Sequence, residues 1–273
     1  MPELPEVETI GRSLREGDDN IPSLIGERIH GAIVLWERSI AAPSPKEFSQ
    51  KITGQTIHDI SRRGKFLRFD LDQDTMLIHL RMSGDLWVET QNTPPALHHR
   101  LILNLNEGSY RLAFNDPRKF GRVWLTARPE EVLGKLGPEP LLDDFTAENL
   151  FKMLARFKRQ LKPLLMDQTF IAGMGNIYTD EALHQARLHP CSRSDGLNLA
   201  AAEGLQKAIR NVLSEGILRN GSSIDWVYRG GDYQRHFRIY QRAGQPCFNC
   251  GTPIERIIVG QRSSYFCPNC QKL

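Results

Sequence analysis

Gly134-Lys135-Leu136-Gly137-Pro138-Glu139-Pro140-Leu141 is the stretch on which the fold turns. Two glycines and two prolines in eight residues interrupt any regular element. The texture differs on either side. Upstream, the runs 28–36, 57–71, 76–89, 100–105, 110–115 and 122–126 read as β, separated by turn-forming Gly, Asn and Asp. Downstream, the segments 146–157, 161–167, 176–185 and 199–218 have apolar residues at helical periods, with Thr146 placed to cap the first of them. A further helix opens the chain, because Leu4, Val7, Ile10 and Leu14 share one helical face and Pro5 fits a first turn. These readings predict an α+β multidomain protein, with an N-terminal helix and an antiparallel β-sandwich followed by a helical part. The expected division is 1–133, a hinge at 134–145, a helical domain at 146–238 and a cysteine-rich end at 239–273. A length of 273 residues exceeds a single core and fits that division.

Composition is ordinary for a globular chain, at 40% hydrophobic and 25% charged, and no run reaches membrane-spanning length. The start, MPELPEVE, lacks the basic stretch and apolar run of a secretory signal, so a cytosolic compartment is expected. The net charge of +3 is unevenly spread. From Thr146 onward 17 Lys and Arg face 10 Asp and Glu, a net +7, whereas the preceding 18 and 22 give −4. Contact with a polyanion and a solvated basic face both explain that bias.

Four of the five cysteines, Cys247, Cys250, Cys267 and Cys270, form C-x2-C-x16-C-x2-C. Each pair can present two thiolates to one metal, and the spacing is that of a structural zinc ribbon. Two disulfides are the alternative, disfavoured in a reducing compartment. The segment is too small to fold on apolar burial alone, so the metal supplies folding free energy. Four thiolates leave no open position for a water or substrate, which argues for one structural Zn2+ and against metal-assisted hydrolysis. Arg262 and Ser263 fall near the tip of the predicted hairpin. Cys191 stands apart and reads as a small buried hydrophobe.

Pro2 follows the initiator Met, and its small size favours removal of that Met. The mature chain then begins with a secondary amine. An α-amino group titrates near 8, so about a tenth of it is unprotonated at neutral pH, against far less of a lysine. Such an amine attacking an anomeric carbon gives an iminium, an electron sink that acidifies the adjacent C–H and permits elimination of phosphate. Glu3 is placed to donate a proton to the sugar ring oxygen, and Glu6 lies one turn further on. Pro and Glu at a helix start are equally ordinary capping chemistry.

Pro2-Glu3-Leu4-Pro5-Glu6-Val7-Glu8-Thr9 resembles the opening of the formamidopyrimidine-DNA glycosylase family. The similarity continues, in order, through Arg63-Gly64-Lys65, His79-Leu80-Arg81-Met82-Ser83-Gly84, Asp116-Pro117-Arg118-Lys119-Phe120-Gly121, Leu136-Gly137-Pro138-Glu139-Pro140-Leu141, Met174-Gly175-Asn176-Ile177-Tyr178 and the four-cysteine ribbon. The resemblance implies a helix-two-turns-helix domain ending in a zinc finger. It implies a bifunctional DNA glycosylase and DNA-(apurinic or apyrimidinic site) lyase of base excision. Its partner would be double-stranded DNA containing oxidised bases or abasic sites, and its products would arise by release of 8-oxoguanine and formamidopyrimidines and nicking by β,δ-elimination. Such an enzyme must extrude the damaged nucleotide and fill the vacancy.

The resemblance carries roles to particular residues. Pro2 becomes the nucleophile and Glu3 the acid; Lys65 serves proton transfer and phosphate contact, and Arg262 contacts phosphates and assists elimination. Met82, Arg118 and Phe120 match the gap-filling trio, with Glu6 beside the lesion. His99, Arg118, Lys158 and Asn176 match positions that hold the DNA backbone, although Arg156 and Arg159 lie close to Lys158. Those contacts make binding salt-dependent without reading sequence. The stretch 221–237, GSSIDWVYRGGDYQRHF, departs from the family's usual longer lesion-capping loop. A monomer in the bacterial cytoplasm, associated with the nucleoid through DNA, is the implied setting. An endonuclease VIII-like enzyme acting on oxidised pyrimidines is one alternative, and a non-catalytic zinc-ribbon nucleic-acid binder is another. No G-x-G-x-x-G or P-loop fingerprint implies a nucleotide cofactor.

Overall fold

The structure is a computed structural model that describes residues 1–17, 22–105, 109–223 and 230–273. The chain divides into two compact units, one built mainly from Glu6–Gly134 with Met1–Pro2, the other from Lys135–Ser222 and Gly231–Leu273 with Glu3–Pro5. The break between Gly134 and Lys135 falls inside the Gly- and Pro-rich stretch. The helices that follow Lys135 and the cysteine-rich end belong to one unit.

Chain order begins with helix α1 (Leu4–Glu16) and strand β1 (Ile29–Val34), then β2 (Ile40–Ala42) and α2 (Pro45–Ile52). Next come β3 (Asp59–Arg63), β4 (Phe66–Asp70), β5 (Thr75–His79), β6 (Asp85–Thr90), β7 (His99–Leu105), β8 (Tyr110–Asn115) and β9 (Arg122–Thr126), followed by the short helix α3 (Glu130–Leu133). One sheet runs β1-β7-β8-β6 and the other β2-β9-β5-β4-β3. Phe69 and Ile78 of the second sheet share one buried cluster with Leu101 and Phe114 of the first and with Val7, Ile10 and Leu14 of α1. The helical face read from the sequence is thus the buried face.

Three expectations are corrected. The run 57–71 is not one strand but the hairpin β3–β4, turning at Gly64 and Lys65, with Gly64 at φ +57°. The run 76–89 is two strands in different sheets, because the chain turns sharply between β5 and β6. Arg81 takes φ +57° there, and the amide of Gly84 donates to the Leu80 carbonyl at 2.9 Å. Gly84 packs so close to the Leu80 backbone that a Cβ would overlap it, so the turn requires glycine. The second sheet is also not wholly antiparallel, since the three-residue edge strand β2 pairs parallel to β9. Helix α2 was not expected. Its signal is nevertheless present: Ser44 and Glu47 form a reciprocal capping box, with Pro45 in the first turn.

In the other unit, α4 (Ala147–Ala155) is capped by Thr146, whose hydroxyl accepts from the Asn149 amide. It is followed by α5 (Leu161–Leu165), α6 (Asn176–Gln185) and the 20-residue α7 (Leu199–Leu218). An antiparallel hairpin, β10 (Glu255–Val259) and β11 (Arg262–Phe266), lies between the cysteine pairs. Residues 224–229 of the atypical 221–237 stretch lie outside the described residues. Among the described residues no helix is long and apolar enough to cross a membrane.

Candidate active site and zinc ribbon

Glu3 is 2% exposed, and its carboxylate sits on the first turn of α6. The amide of Ile177 donates to Oε1 at 3.0 Å and that of Tyr178 to Oε2 at 3.5 Å. Helix starts carry unpaired N–H groups and a partial positive charge, so a carboxylate is a natural occupant. Gly175, the residue before α6, has no side-chain cap of its own, and a Cβ there would overlap the Glu3 carboxylate. Glycine is required for close approach. The Leu4 amide donates to the Gly173 carbonyl at 3.1 Å and fixes the adjoining backbone.

Lys162 is fully buried behind the same turn, donating to the Asn176 carbonyl at 2.9 Å and to Asp180 Oδ1 at 2.7 Å. Burial pushes this ammonium down, and the charges of Asp180 and Glu3 oppose the shift. Sequence reasoning missed Lys162, though a lone charge within the apolar run LKPLL was a visible oddity. Asp180 also accepts from Ser264 Oγ at 2.8 Å and from the Tyr265 amide at 3.1 Å, which ties α6 to β11. Neighbouring Glu181 accepts the amides of Arg238, Ile239 and Tyr240. The side chain of Asn176 reaches the Tyr240 hydroxyl at 3.4 Å.

At the far end of α6, His184 Nε2 lies 3.5 Å from Cys247 Sγ. The sulfurs of Cys247, Cys250, Cys267 and Cys270 all lie within 4.8 Å of one another, and none of the five cysteines forms a disulfide. Zn–S bonds of about 2.3 Å in a tetrahedron set sulfurs about 3.8 Å apart, so the donors fit one structural zinc. Arg262 is exposed and starts β11, next to the tight turn Gly260-Gln261.

The other unit holds Pro2, Glu6, Lys65, Met82, His99, Arg118 and Phe120. Pro2 and Glu6 are buried at the chain start. Lys65, expected to be solvated unless it has a role, is only 4% exposed. Met82 lies on the segment between β5 and β6, while Arg118 and Phe120 lie on the segment between β8 and β9. Phe120 is 51% exposed, with the Arg118 guanidinium 5.2 Å over its ring. Ser83 and Asp116, to which no role was assigned from sequence, bond these two segments together.

His99 is a correction. It opens the internal strand β7, and its side chain is wholly enclosed, edge-on to Trp87 at 5.7 Å and with Nε2 3.4 Å from Glu89 Oε1. An imidazole so enclosed does not reach a DNA backbone, whereas its neighbour His98 is half-buried. Arg159 is engaged with Asp167 at 2.8 Å, and Lys158 and Arg156 are exposed.

A β-sandwich unit, a helical unit and a four-thiolate ribbon anchored on one buried helix define a zinc-ribbon protein of the helix-two-turns-helix class. Models of the formamidopyrimidine-DNA glycosylase N-terminal domain, its H2TH domain, and a zinc finger found in FPG and IleRS match residues 1–123, 136–227 and 244–273. A formamidopyrimidine-DNA glycosylase of Chloroflexus aurantiacus is 47% identical over 280 residues, covering 99% of this chain and 98% of its own. That of Protochlamydia amoebophila is 41% identical over the full length of both. Among solved structures, Lactococcus lactis Fpg (MutM) with N7-benzyl-Fapy-dG DNA superposes at TM-score 0.92 and 33% identity, covering both chains completely. A MutM complex with carbocyclic 8-oxo-G DNA gives 0.91 and 33% over the full length of both chains. The chain belongs to the formamidopyrimidine-DNA glycosylase family.

His79 provides a test of this site's local electrostatics. Burial, with Arg81 and Lys65 nearby, lowers its pKa from 6.5 to about 3, and its Nδ1 accepts from the Arg81 amide at 3.0 Å. Between those values the unfolded chain binds the extra proton. Stability therefore falls as pH falls through this window, by up to about 1.4 kcal/mol per pH unit from this group. His79→Gln should flatten the acid limb of the stability profile, measured by urea unfolding between pH 7 and the acid limit of reversible folding; an unchanged limb contradicts the assignment.

Proposed function

We propose that this chain excises oxidised purines from double-stranded DNA, 8-oxoguanine and formamidopyrimidines among them, and then nicks the strand as a DNA-(apurinic or apyrimidinic site) lyase. The observation that carries the reading is the carboxylate of Glu3, buried and held on the start of α6, one residue from Pro2. Solved relatives bound to 8-oxo-G and Fapy-dG DNA support the substrate class.

Pro2 is acylated by Met1 in the sequence as translated, so its nitrogen becomes nucleophilic only when Met1 is removed. The free amine then attacks the sugar C1′; the N–C1′ bond forms as the bond to the damaged base breaks. Glu3 takes the proton that the attacking amine sheds and passes it to the ring oxygen, the ring opens as the amine becomes an iminium, and the departing base takes a proton from water. Loss of a C2′ proton to a base expels the 3′ phosphate, and a second elimination expels the 5′ phosphate. Lys65 moves protons and holds phosphate in these steps, and Arg262, projecting from the ribbon, contacts the flanking phosphates and assists elimination. The ribbon zinc is structural and supplies no step. Arg118, Lys158 and Asn176 hold the DNA backbone, Glu6 lines the lesion site, and Met82, Arg118 and Phe120 fill the vacated stack. The protein acts as a monomer, in the bacterial cytoplasm at the nucleoid.

Borohydride reduction of the protein with duplex DNA carrying 8-oxoguanine opposite cytosine should trap a covalent adduct mapping to Pro2. Preference for thymine glycol would instead make it a pyrimidine enzyme, and tight binding without any adduct would make it a binder. Arg262→Ala should impair DNA engagement and strand scission while keeping one zinc per chain by elemental analysis; loss of that zinc contradicts the role given to Arg262.

A further inference from the structure

Strand register brings together the two segments that carry the gap-filling side chains. His79, at the end of β5, pairs with Arg122 at the start of β9, while Asp85, at the start of β6, pairs with Asn115 at the end of β8. The connections β5–β6 and β8–β9 therefore cross between the two sheets side by side. Buried polar groups join them there. Asp116 is 1% exposed and Ser83 5%. The Ser83 hydroxyl donates to Asp116 Oδ1, and Ser83 Oγ accepts from the Arg118 amide at 3.1 Å. Asp116 Oδ2 accepts from the Gly121 amide at 2.7 Å, and its backbone is pinned by the His98 carbonyl at 2.8 Å and by Arg100 Nε at 2.8 Å.

Met82 precedes Ser83, while Arg118 and Phe120 lie between the two amides that the pair holds. An exposed phenyl ring and a long methionine lose conformational entropy when they enter a base stack, and a rigid base beneath them lowers that cost. We propose that Ser83 and Asp116 are positioning residues, a buried latch that makes the two connections one rigid wedge, so that Met82, Arg118 and Phe120 enter the vacated position together. The inference rests on the gap-filling reading proposed above.

A wedge matters only where a base must be displaced from a duplex. The test compares wild type, Ser83→Ala, Asp116→Asn and Met82→Ala. Single-turnover excision of 8-oxoguanine from duplex DNA is set against nicking at an abasic site in a single strand, with 2-aminopurine beside the orphaned base reporting wedge entry. Losing one buried hydrogen bond to a charged group should lower duplex excision about tenfold or more and delay the fluorescence change, with single-strand nicking moved by less than about threefold. Ser83→Thr, which keeps the hydroxyl, should restore the ratio. If both latch variants keep the wild-type duplex rate and fluorescence, or lose both reactions by one factor, the latch has no positioning role and the inference is overturned. If Met82→Ala itself leaves duplex excision and fluorescence at wild-type levels, the gap-filling reading fails, and the latch inference with it.

Discussion

A carboxylate seated on the start of a helix is the contact on which the rest of this structure depends. Glu3 takes the first free amides of α6, and that arrangement is possible only because Gly175 offers no side chain. The helix then spends its own buried acids on the ribbon: Asp180 on β11 and Glu181 on the three amides leading into the cysteine-rich segment. It finishes with His184 beside Cys247. One ten-residue helix thus connects the proposed acid to the metal knuckle that carries Arg262. A charge buried without partners would cost several kcal/mol, so these groups tolerate little displacement.

The same principle operates in the β-sandwich unit at smaller scale. Half-buried Met82 and exposed Arg118 and Phe120 stand on a buried polar joint made by Ser83 and Asp116. The joint fixes loop geometry by hydrogen bonds, while Gly84 and Gly121 of the two segments pack on the buried Phe114 ring. The gap-filling role proposed for these three side chains asks for the fixed backbone that the buried pair provides. The C-terminal excess of positive charge adds a long-range attraction that needs no such accuracy.

Much of the fold was legible because local signals and tertiary context agree. The bounds of α6 and α7 and of β8 follow directly from apolar period and flanking turn residues. The turn between β5 and β6 was hidden, since nothing in Arg81-Met82-Ser83 advertises a left-handed arginine. The capping signal of α2 is present in Ser44-Pro45 and Glu47, but only Phe48 and Ile52 mark its buried face. In the site, the four cysteines were plain from spacing, and the residues resembling the family's were plain from their order. Partnerships across long separations were not: Glu3 meets Ile177, and Lys162 meets Asp180, through folding alone. His99 failed for a related reason. Neighbouring positions at the start of a strand differ in burial, and His99 falls on the enclosed side while His98 is half-buried.

The most direct measurement is excision and imine trapping by Gly175→Ala, with its thermal midpoint and zinc content recorded beside the wild type. If the carboxylate must rest on α6, one added methyl should lower excision of 8-oxoguanine by about a hundredfold or more, an activation cost of about 2.7 kcal/mol, while the zinc stays bound. A variant that folds, keeps its metal and excises at the wild-type rate would contradict the account.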